Sequence, residues 1–546
     1  MPRIKTIKLE IKGMTCDGCA RGIEKNVNTL NGISKNEVSY PKTEGEFSFD
    51  EALLSKDELI KEIEKTGHYK VEDEINYGTN HFDLIIVGGG SAAFSAAIKA
   101  NELQKRTLII NAGLPMGGTC VNVGCVPSKY LIRAAESLHN SSHSNFRSVK
   151  NTKATFNFKE IIQQKRELVD TLRQQKYIDI AADLNYVTLL NGYAKFKNPN
   201  AVIVDGEIEY TAEKFLIATG SKTKIPPIKG LENIDFLTNR SLFELEELPE
   251  SLIVLGGGYI ALEIAQMMYR LGSKVTLIQR SEHVLSNQAE DIGSEIVEHL
   301  RNEGIEIITN SKIELVEKDG DQISLDLFEG RKPRIVKADK LVVATGISPN
   351  TLGFGLEKIG VKLGSTGHIE TNEYLQTDIS SIFAAGDNIN TAAFVYTAAY
   401  EGNLAVENMF NEELSAKDYL GMPWVVFTDP QIAGVGMDEA EAEKDGINFE
   451  VSKLPLNLVP RSIAALDTRG FVKLIRDKDS DKLIGARIVA PEGSELTMEL
   501  SLAIKYGIPT KELAKSFHAY LTLSEAVKLA SIGFGKDIHK LSCCAS

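Results

Sequence analysis

Residues 83–103 read DLIIVGGGSAAFSAAIKANEL, and the order of their parts decides the fold. The apolar run Leu84 to Val87 has the length of a buried strand, and the small-residue stretch from Ser91 has helical length. Between and just beyond them, Gly88, Gly90 and Ala93 fill the spacing G-x-G-x-x-G/A, with Ala92 inside it. Glycine at the first two positions permits a tight turn and lets the backbone approach a pyrophosphate at a helix N-terminus. Strand, glycine loop and helix in this order predict a parallel unit that holds a dinucleotide. The arrangement recurs in residues 252–272, LIVLGGGYIALEIAQMMYRLG, where Gly256, Gly258 and Ala261 keep the spacing. Two such units predict an α/β chain with two Rossmann-like nucleotide-binding domains.

The strand after each loop carries specificity. The first, TLII, ends at Asn111, where an acidic residue is expected to hold ribose hydroxyls; an amide still hydrogen-bonds a hydroxyl. The second, VTLIQR, ends at Gln279 and Arg280. A missing carboxylate beside an arginine favours NADPH over NADH, the alternative being that Arg280 is a solvated surface charge.

Outside these units, residues 1–72 predict a small separate domain. Strand-like segments at Ile4–Ile11, Ile33–Ser39 and Glu46–Phe49 alternate with helical stretches at Ala20–Leu30 and Lys56–Thr66, a ferredoxin-like βαββαβ order. A polar linker follows at 73–80, and from Gly421 short strands and helices mix. A chain of 546 residues has room for two to four domains. The net charge of −14 argues against a nucleic-acid partner. No apolar run has bilayer length and no secretory signal opens the chain, so a cytoplasmic location without stable membrane insertion is expected.

The six cysteines fall in three close pairs: Cys16 with Cys19, Cys120 with Cys125, and Cys543 with Cys544. In a reducing compartment such pairs are redox or metal sites more often than staples. The most specific stretch is GGTCVNVGCVPSK, residues 117–129. Two cysteines four residues apart can close a small disulfide at a helix start, where the helix N-terminus favours thiolate. Lys129 follows one turn later, in reach of a flavin ring.

With the redox peptide, the two glycine loops, ATG at 218–220 and 344–346, and IFAAGD at 382–387, residues 81–546 resemble the glutathione reductase and dihydrolipoamide dehydrogenase family of pyridine nucleotide-disulfide oxidoreductases. The resemblance implies an FAD-binding domain from 81–228 and 343–420, an NADPH-binding domain at 229–342, an α+β dimerisation domain at 421–546, and a homodimer. It makes Cys125 the thiol nearest the flavin and Cys120 the interchange thiol. It gives Thr119, Lys129 and Asp387 FAD contacts, adds backbone contacts at Gly113, Ala194 and Val395, and sets Glu263 near the nicotinamide and flavin.

Two features separate the chain from the disulfide-reducing members. Where those carry a general acid-base histidine, HAYLTLSEA (518–526) aligns Tyr520, and His518 falls two residues early as a structural or surface histidine. A dithiol substrate needs proton transfer at the interchange thiol; a metal ion needs much less. The chain also ends in LSCCAS, whose vicinal Cys543 and Cys544 suit a mobile dithiol. Thiolates select soft metals, and Hg(II) accepts two of them readily. The N-terminal GMTCDGCA resembles the heavy-metal-associated domain, with Cys16 and Cys19 as its ligands on a loop and helix start. Tyr177, in LRQQKY, matches an active-site tyrosine that metal-reducing members carry after the redox peptide; a helix-packing tyrosine is the alternative.

The expectation is therefore NADPH-driven reduction of Hg(II) to Hg(0) through FAD. The ion, arriving as a thiol complex, would be taken by Cys543 and Cys544 and passed to Cys120 and Cys125, with Cys16 and Cys19 scavenging upstream. A flavin-dependent disulfide reductase would instead turn over glutathione or lipoamide disulfide. A soft-metal trafficking protein whose flavin keeps its thiols reduced would bind metal without metal-dependent NADPH oxidation.

Overall fold

The computed structural model describes residues 4–14, 17–40, 43–65, 68–74, 80–152 and 154–540, so Cys16, Cys543 and Cys544 lie outside the described residues. The chain divides into two compact units: residues 1–82 with 209–211, and the remainder.

The first unit runs β1 (Ile4–Lys12), α1 (Asp17–Val27), β2 (Ile33–Ser39), β3 (Glu44–Asp50), α2 (Lys56–Glu64) and β4 (Lys70–Glu74). Its antiparallel sheet has the order β2-β3-β1-β4. Alternation buries Ile7, Leu9 and Ile11 of β1 on one face, with Phe47 and Phe49 of β3. Ile23 and Val27 on α1, and Leu59 and Ile63 on α2, repeat at four residues and close over that face. The expected βαββαβ order holds, with two shifts. Helix α1 begins at Asp17 rather than Ala20, which puts Cys19 in its first turn, half-buried against the core. Strand β4 extends to Glu74, opposite Leu9, so the predicted linker at 73–80 begins two residues too early. An acidic strand end, VEDE, reads as linker because its partner is more than sixty residues away, a separation that composition does not carry.

The second unit begins at Asp83, within β5 (His81–Val87), and runs on through the glycine loop, α3 (Ser91–Glu102) and β6 (Thr107–Asn111). It continues through α4 (Gly118–Asn122), α5 (Cys125–Ser142), α6 (Phe158–Arg173), β7 (Val187–Asn191), β8 (Ala194–Asn198), β9 (Ala201–Val204) and β10 (Ile208–Ile217). The sheet order is β7-β6-β5-β10-β9-β8. A second parallel sheet follows: β11 (Ser251–Leu255), α7 (Tyr259–Leu271), β12 (Lys274–Ile278), α8 (Glu290–Glu303), β13 (Glu306–Ile308) and β14 (Lys340–Val343). Its order is β13-β12-β11-β14. The chain then returns to the first sheet, where β15 (Ile382–Ala384) pairs parallel with β10 and α9 (Val395–Phe410) packs on α3.

The chain closes on a five-stranded antiparallel sheet. Its strands are β16 (Pro423–Val426), β17 (Gln431–Gly436), β18 (Phe449–Pro455), β19 (Phe471–Asp477) and β20 (Leu483–Ala490), in the order β16-β17-β20-β19-β18. Helices α10 (Thr497–Lys505) and α11 (Glu525–Ile532) cover it. This is the expected α/β layout with an α+β segment last.

The two glycine loops are built alike. Gly88 and Gly256 have φ of 128° and 123°, and a Cβ on either would lie 2.1 or 2.3 Å from the carbonyl oxygen of Ala218 or Ala344. Each loop is thus pressed against the first residue of an ATG triplet, which explains why both motifs occur twice. Gly90 and Gly258 then cap α3 and α7 with extended backbone, leaving the helix N–H groups open to an anion.

Each unit has its own buried core. Removing residues 1–70 is therefore expected to leave a folded, flavin-binding protein. Flavin absorbance and size-exclusion elution check this, and an aggregated or colourless product would contradict it.

Candidate active site

The redox peptide lies on the first glycine loop. Gly117 donates its N–H to the Gly89 carbonyl at 2.8 Å, and a Cβ on Gly118 would stand 2.6 Å from the Gly90 Cα. Cys120 sits in the short helix α4, which stops at Val123, and Cys125 opens α5. The buried Asn122 amide fixes this break. It donates to the carbonyls of Pro115, Met116 and Gly118 at 2.8–3.1 Å and accepts from Arg173 at 3.0 Å. Asn122 stood inside the motif, but its partners are not legible from spacing.

The two thiols share one hydrogen bond, and it splits their acidities. Hydrogen bonding from Cys120 holds Cys125 down to about 7, helped by Lys129 against the opposing effect of burial. Cys120, the donor, is pushed up by the same bond and by burial. The neighbouring thiol is thus the largest influence on Cys125, ahead of the helix N-terminus that the sequence suggested. Lys129 Nζ donates to Glu263 Oε2 at 2.7 Å, and the other Glu263 oxygen accepts from the Phe427 N–H at 2.9 Å. Lys129 also stands 4.5 Å above the Phe427 ring. Phe427 was missed because 164 residues separate it from Glu263.

A thiol whose pKa is lowered from 9 to about 7 is about half ionised at neutral pH. In the reduced protein, alkylation of Cys125 by iodoacetamide should rise with a midpoint near pH 7, and Lys129→Met should move that midpoint upward. A midpoint near 9 in the unmodified protein would contradict this.

Tyr177 joins the same place. Helix α6 passes into a π-helical turn, Gln174–Ile178, a form of extra-residue turn common at functional sites. The turn lays the Tyr177 ring against Gly117, 3.1 Å from where a Cβ would be, and edge-on to Phe94 at 4.8 Å. Burial raises its phenol, the neighbouring Cys120 adds to this, and a hydrogen bond with Ser91 opposes it. Tyr177 therefore packs and also borders the thiol pair.

A cleft of about 820 Å³ runs from the first glycine loop past Asn111, Gly113 and Thr119 to Ala194 and Ser221. Its size and its glycine walls fit an extended flavin dinucleotide. Asp387, following β15, is raised by burial and accepts from Ser221 at 2.7 Å, a carboxylate suited to hydroxyl groups. Asn111 is buried and donates to the Leu114 carbonyl at 2.9 Å, so one end of its amide is spent on its own loop. Ala92, Ala93 and Ala261 are buried where their helices close on the sheets. Val395 begins α9 with its side chain partly exposed, and Arg280 is exposed after the end of β12.

Tyr520 lies on the turn before α11 and is 56% exposed. His518 is held: its Nε2 is 2.6 Å from Glu499 Oε1 and its side chain is 5% exposed. That is the structural role the sequence suggested.

Comparison with known proteins agrees with this geometry. The family model for pyridine nucleotide-disulphide oxidoreductases matches residues 82–402, and the dimerisation domain of that family matches 422–531. The chain belongs to the pyridine nucleotide-disulphide oxidoreductase family. Its first unit matches the heavy-metal-associated domain over residues 8–69. Among curated relatives in this family, the mercuric reductase of Staphylococcus aureus is 38% identical, covering 98% of this chain and 99% of that one. The mercuric reductase of Streptomyces lividans is 40% identical over 85% of this chain and 98% of its own length. Among solved structures, the Cu(II) complex of the HOCl-induced flavoprotein disulfide reductase RclA from Escherichia coli superposes with a TM-score of 0.75. It is 28% identical and covers 84% of this chain and all of the other. No helix among the described residues is long and apolar enough to cross a membrane.

Proposed function

We propose that the protein reduces Hg(II) to Hg(0) with NADPH, through FAD and the Cys120–Cys125 pair, as a homodimer. The balance is NADPH + Hg(II) → NADP⁺ + Hg(0) + H⁺. FAD bound in the cleft supplies an acceptor for hydride and a donor of two electrons. Gly88, Gly90, Thr119 and Asp387 would hold it, with further backbone contacts from Gly113, Ala194 and Val395. Lys129 and Glu263 orient the reacting ring face. Cys125 and Cys120 hold Hg(II) as thiolates, and Tyr177 lines the ion's position. Tyr520 comes from the second chain, which also presents Cys543 and Cys544. Cys16 and Cys19 gather the ion before transfer.

One observation carries the choice of a metal ion over a disulfide. The single histidine of the terminal motif, His518, is locked to Glu499, and Tyr520, which aligns with the general acid-base histidine of the disulfide-reducing members, is exposed. Disulfide exchange must protonate a leaving thiol, whereas an ion held between thiolates leaves as metal without that step. The names of the relatives, both mercuric reductases, agree. Comparing Hg(II)- and glutathione disulfide-dependent NADPH oxidation tests this. Rapid oxidation with Hg(II) and almost none with the disulfide is expected; the reverse would defeat the reading.

NADPH preference rests on Arg280 and the absence of a carboxylate after β12. Arg280→Glu is expected to cut NADPH use by about tenfold to a hundredfold, the worth of a charge-assisted hydrogen bond to phosphate. NADH use should fall much less. Equal use of both nucleotides by the unmodified protein would refute the assignment.

A further inference from the structure

A passage of mixed lining, its polar groups set among Ile132, Ala135, Met267 and Phe427, leaves the Lys129–Glu263 pair and runs outward between two helices. It occupies about 70 Å³, enough for several waters, since about 10–15 Å³ of such space holds one. Lys129, Arg133 and Glu136 line it from α5; Glu263, Gln266 and Arg270 line it from α7. In each helix these positions recur at three or four residues, so the lining is one face of each helix, followed away from the thiols. From Lys129 to Glu136 is seven residues, about 10 Å of helix rise.

The walls are fixed. Gln266 accepts from the Asp429 N–H at 2.8 Å and donates to Glu303 and to the Asp429 carbonyl at 2.9 and 2.8 Å. Arg270 is paired with Glu303 at 2.6 Å and with Asp429 at 2.8 Å. At the inner end Glu263 is 8% exposed. At the outer end Arg133 has 64% of its side chain exposed and pairs with Glu136 at 2.6 Å. The carboxylates Glu263 and Glu136 at its two ends keep lone pairs beyond the bonds above, and the space between them is large enough to hold water.

We propose that this passage is the proton exit of the reaction. The inference rests on the proposed oxidation of NADPH. Hydride brings two electrons and one proton; Hg(II) takes both electrons and no proton, so one proton per turnover must reach solvent. Glu263 begins the route at the buried end, water carries it past Gln266, and Glu136 hands it to bulk beside Arg133. Neither Arg133 nor Glu136 touches the thiols; they act on the reaction only through water.

The test uses the complete FAD-loaded enzyme, reduced by one equivalent of NADPH and mixed in weak buffer with a pH indicator and either Hg(II) or ferricyanide. Two ferricyanide ions also take the two electrons and leave one proton. Glu136→Leu is expected to slow proton appearance about a hundredfold with both oxidants, the lower end of what a lost proton-transfer group costs. Added imidazole should restore it, and the solvent deuterium isotope effect should rise. FAD content and Hg(II) binding to the reduced thiols should be unchanged. A high-resolution crystal structure of the FAD-loaded enzyme should show ordered water from Glu263 to Glu136. Unaltered proton release in the variant, lack of rescue by imidazole, or a dry passage would overturn the proposal. Failure of Hg(II) alone to oxidise the reduced enzyme would instead defeat the mercury reading, and the ferricyanide arm would still decide the passage.

Discussion

Replacing Cys120 or Cys125 with alanine is expected to lower Hg(II) reduction by about a thousandfold or more, as loss of one member of a cooperating catalytic group does. FAD should remain bound. The two thiols share a single hydrogen bond that makes one of them a thiolate near neutrality and keeps the other protonated. Either substitution removes that arrangement and one of two ligands for the ion. The cleft that fits a flavin dinucleotide is formed by other residues, chiefly the glycine loop, Asn111–Gly113 and Ser221. Stopped-flow reoxidation of the reduced flavin by Hg(II), with flavin absorbance as the control for folding, checks both halves. Near-normal turnover in either variant would remove the thiol pair from the reaction. Loss of flavin would mean that the pair has a structural part instead.

How much of this was legible follows from the distance over which each feature acts. The glycine loops and the redox peptide are local: turn, helix start and thiol spacing are all set within a dozen residues, and the structure has them as read. The break that separates Cys120 from the helix of Cys125 is also local, yet it depends on Asn122 gathering three carbonyls. Lys129 was singled out, but its partner Glu263 lies 134 residues on, and the amide that holds Glu263 another 164. Tyr177 was matched by position alone. The π-helical turn that aims it adds one residue to a helix, a shift that hydrophobic periodicity in α6 does not announce. In the first unit the order of elements was clear, while the start of α1 was missed by a turn because Asp17 and Gly18 read as loop.

The tail gives the second large effect. Changing both Cys543 and Cys544 to alanine is expected to slow reduction of Hg(II) presented as a bis-thiol complex by about a hundredfold, the gain that a tethered carrier provides through effective concentration. An ion held by two external thiols moves only when incoming thiolates displace them, and a bulky complex must meet both Cys125, which is exposed, and Cys120, which is half-buried. The adjacent thiols of Cys543 and Cys544 can displace the external thiols and pass the bare ion on. A mercuric halide, small and weakly ligated, should still be reduced at close to the unmodified rate, because Cys120, Cys125 and the flavin cleft are untouched. Single-turnover kinetics with both forms of the ion separate these outcomes. Equal rates for the thiol complex with and without the tail cysteines would deny the tail any part in delivery.

The most direct test of the central claim is the yield of volatile metal. The FAD-loaded protein, given NADPH and Hg(II) in the presence of excess thiol, should release one Hg(0) for each NADPH oxidised, measured as mercury vapour against absorbance at 340 nm. NADPH oxidation without mercury vapour, or metal bound without NADPH oxidation, would contradict the account.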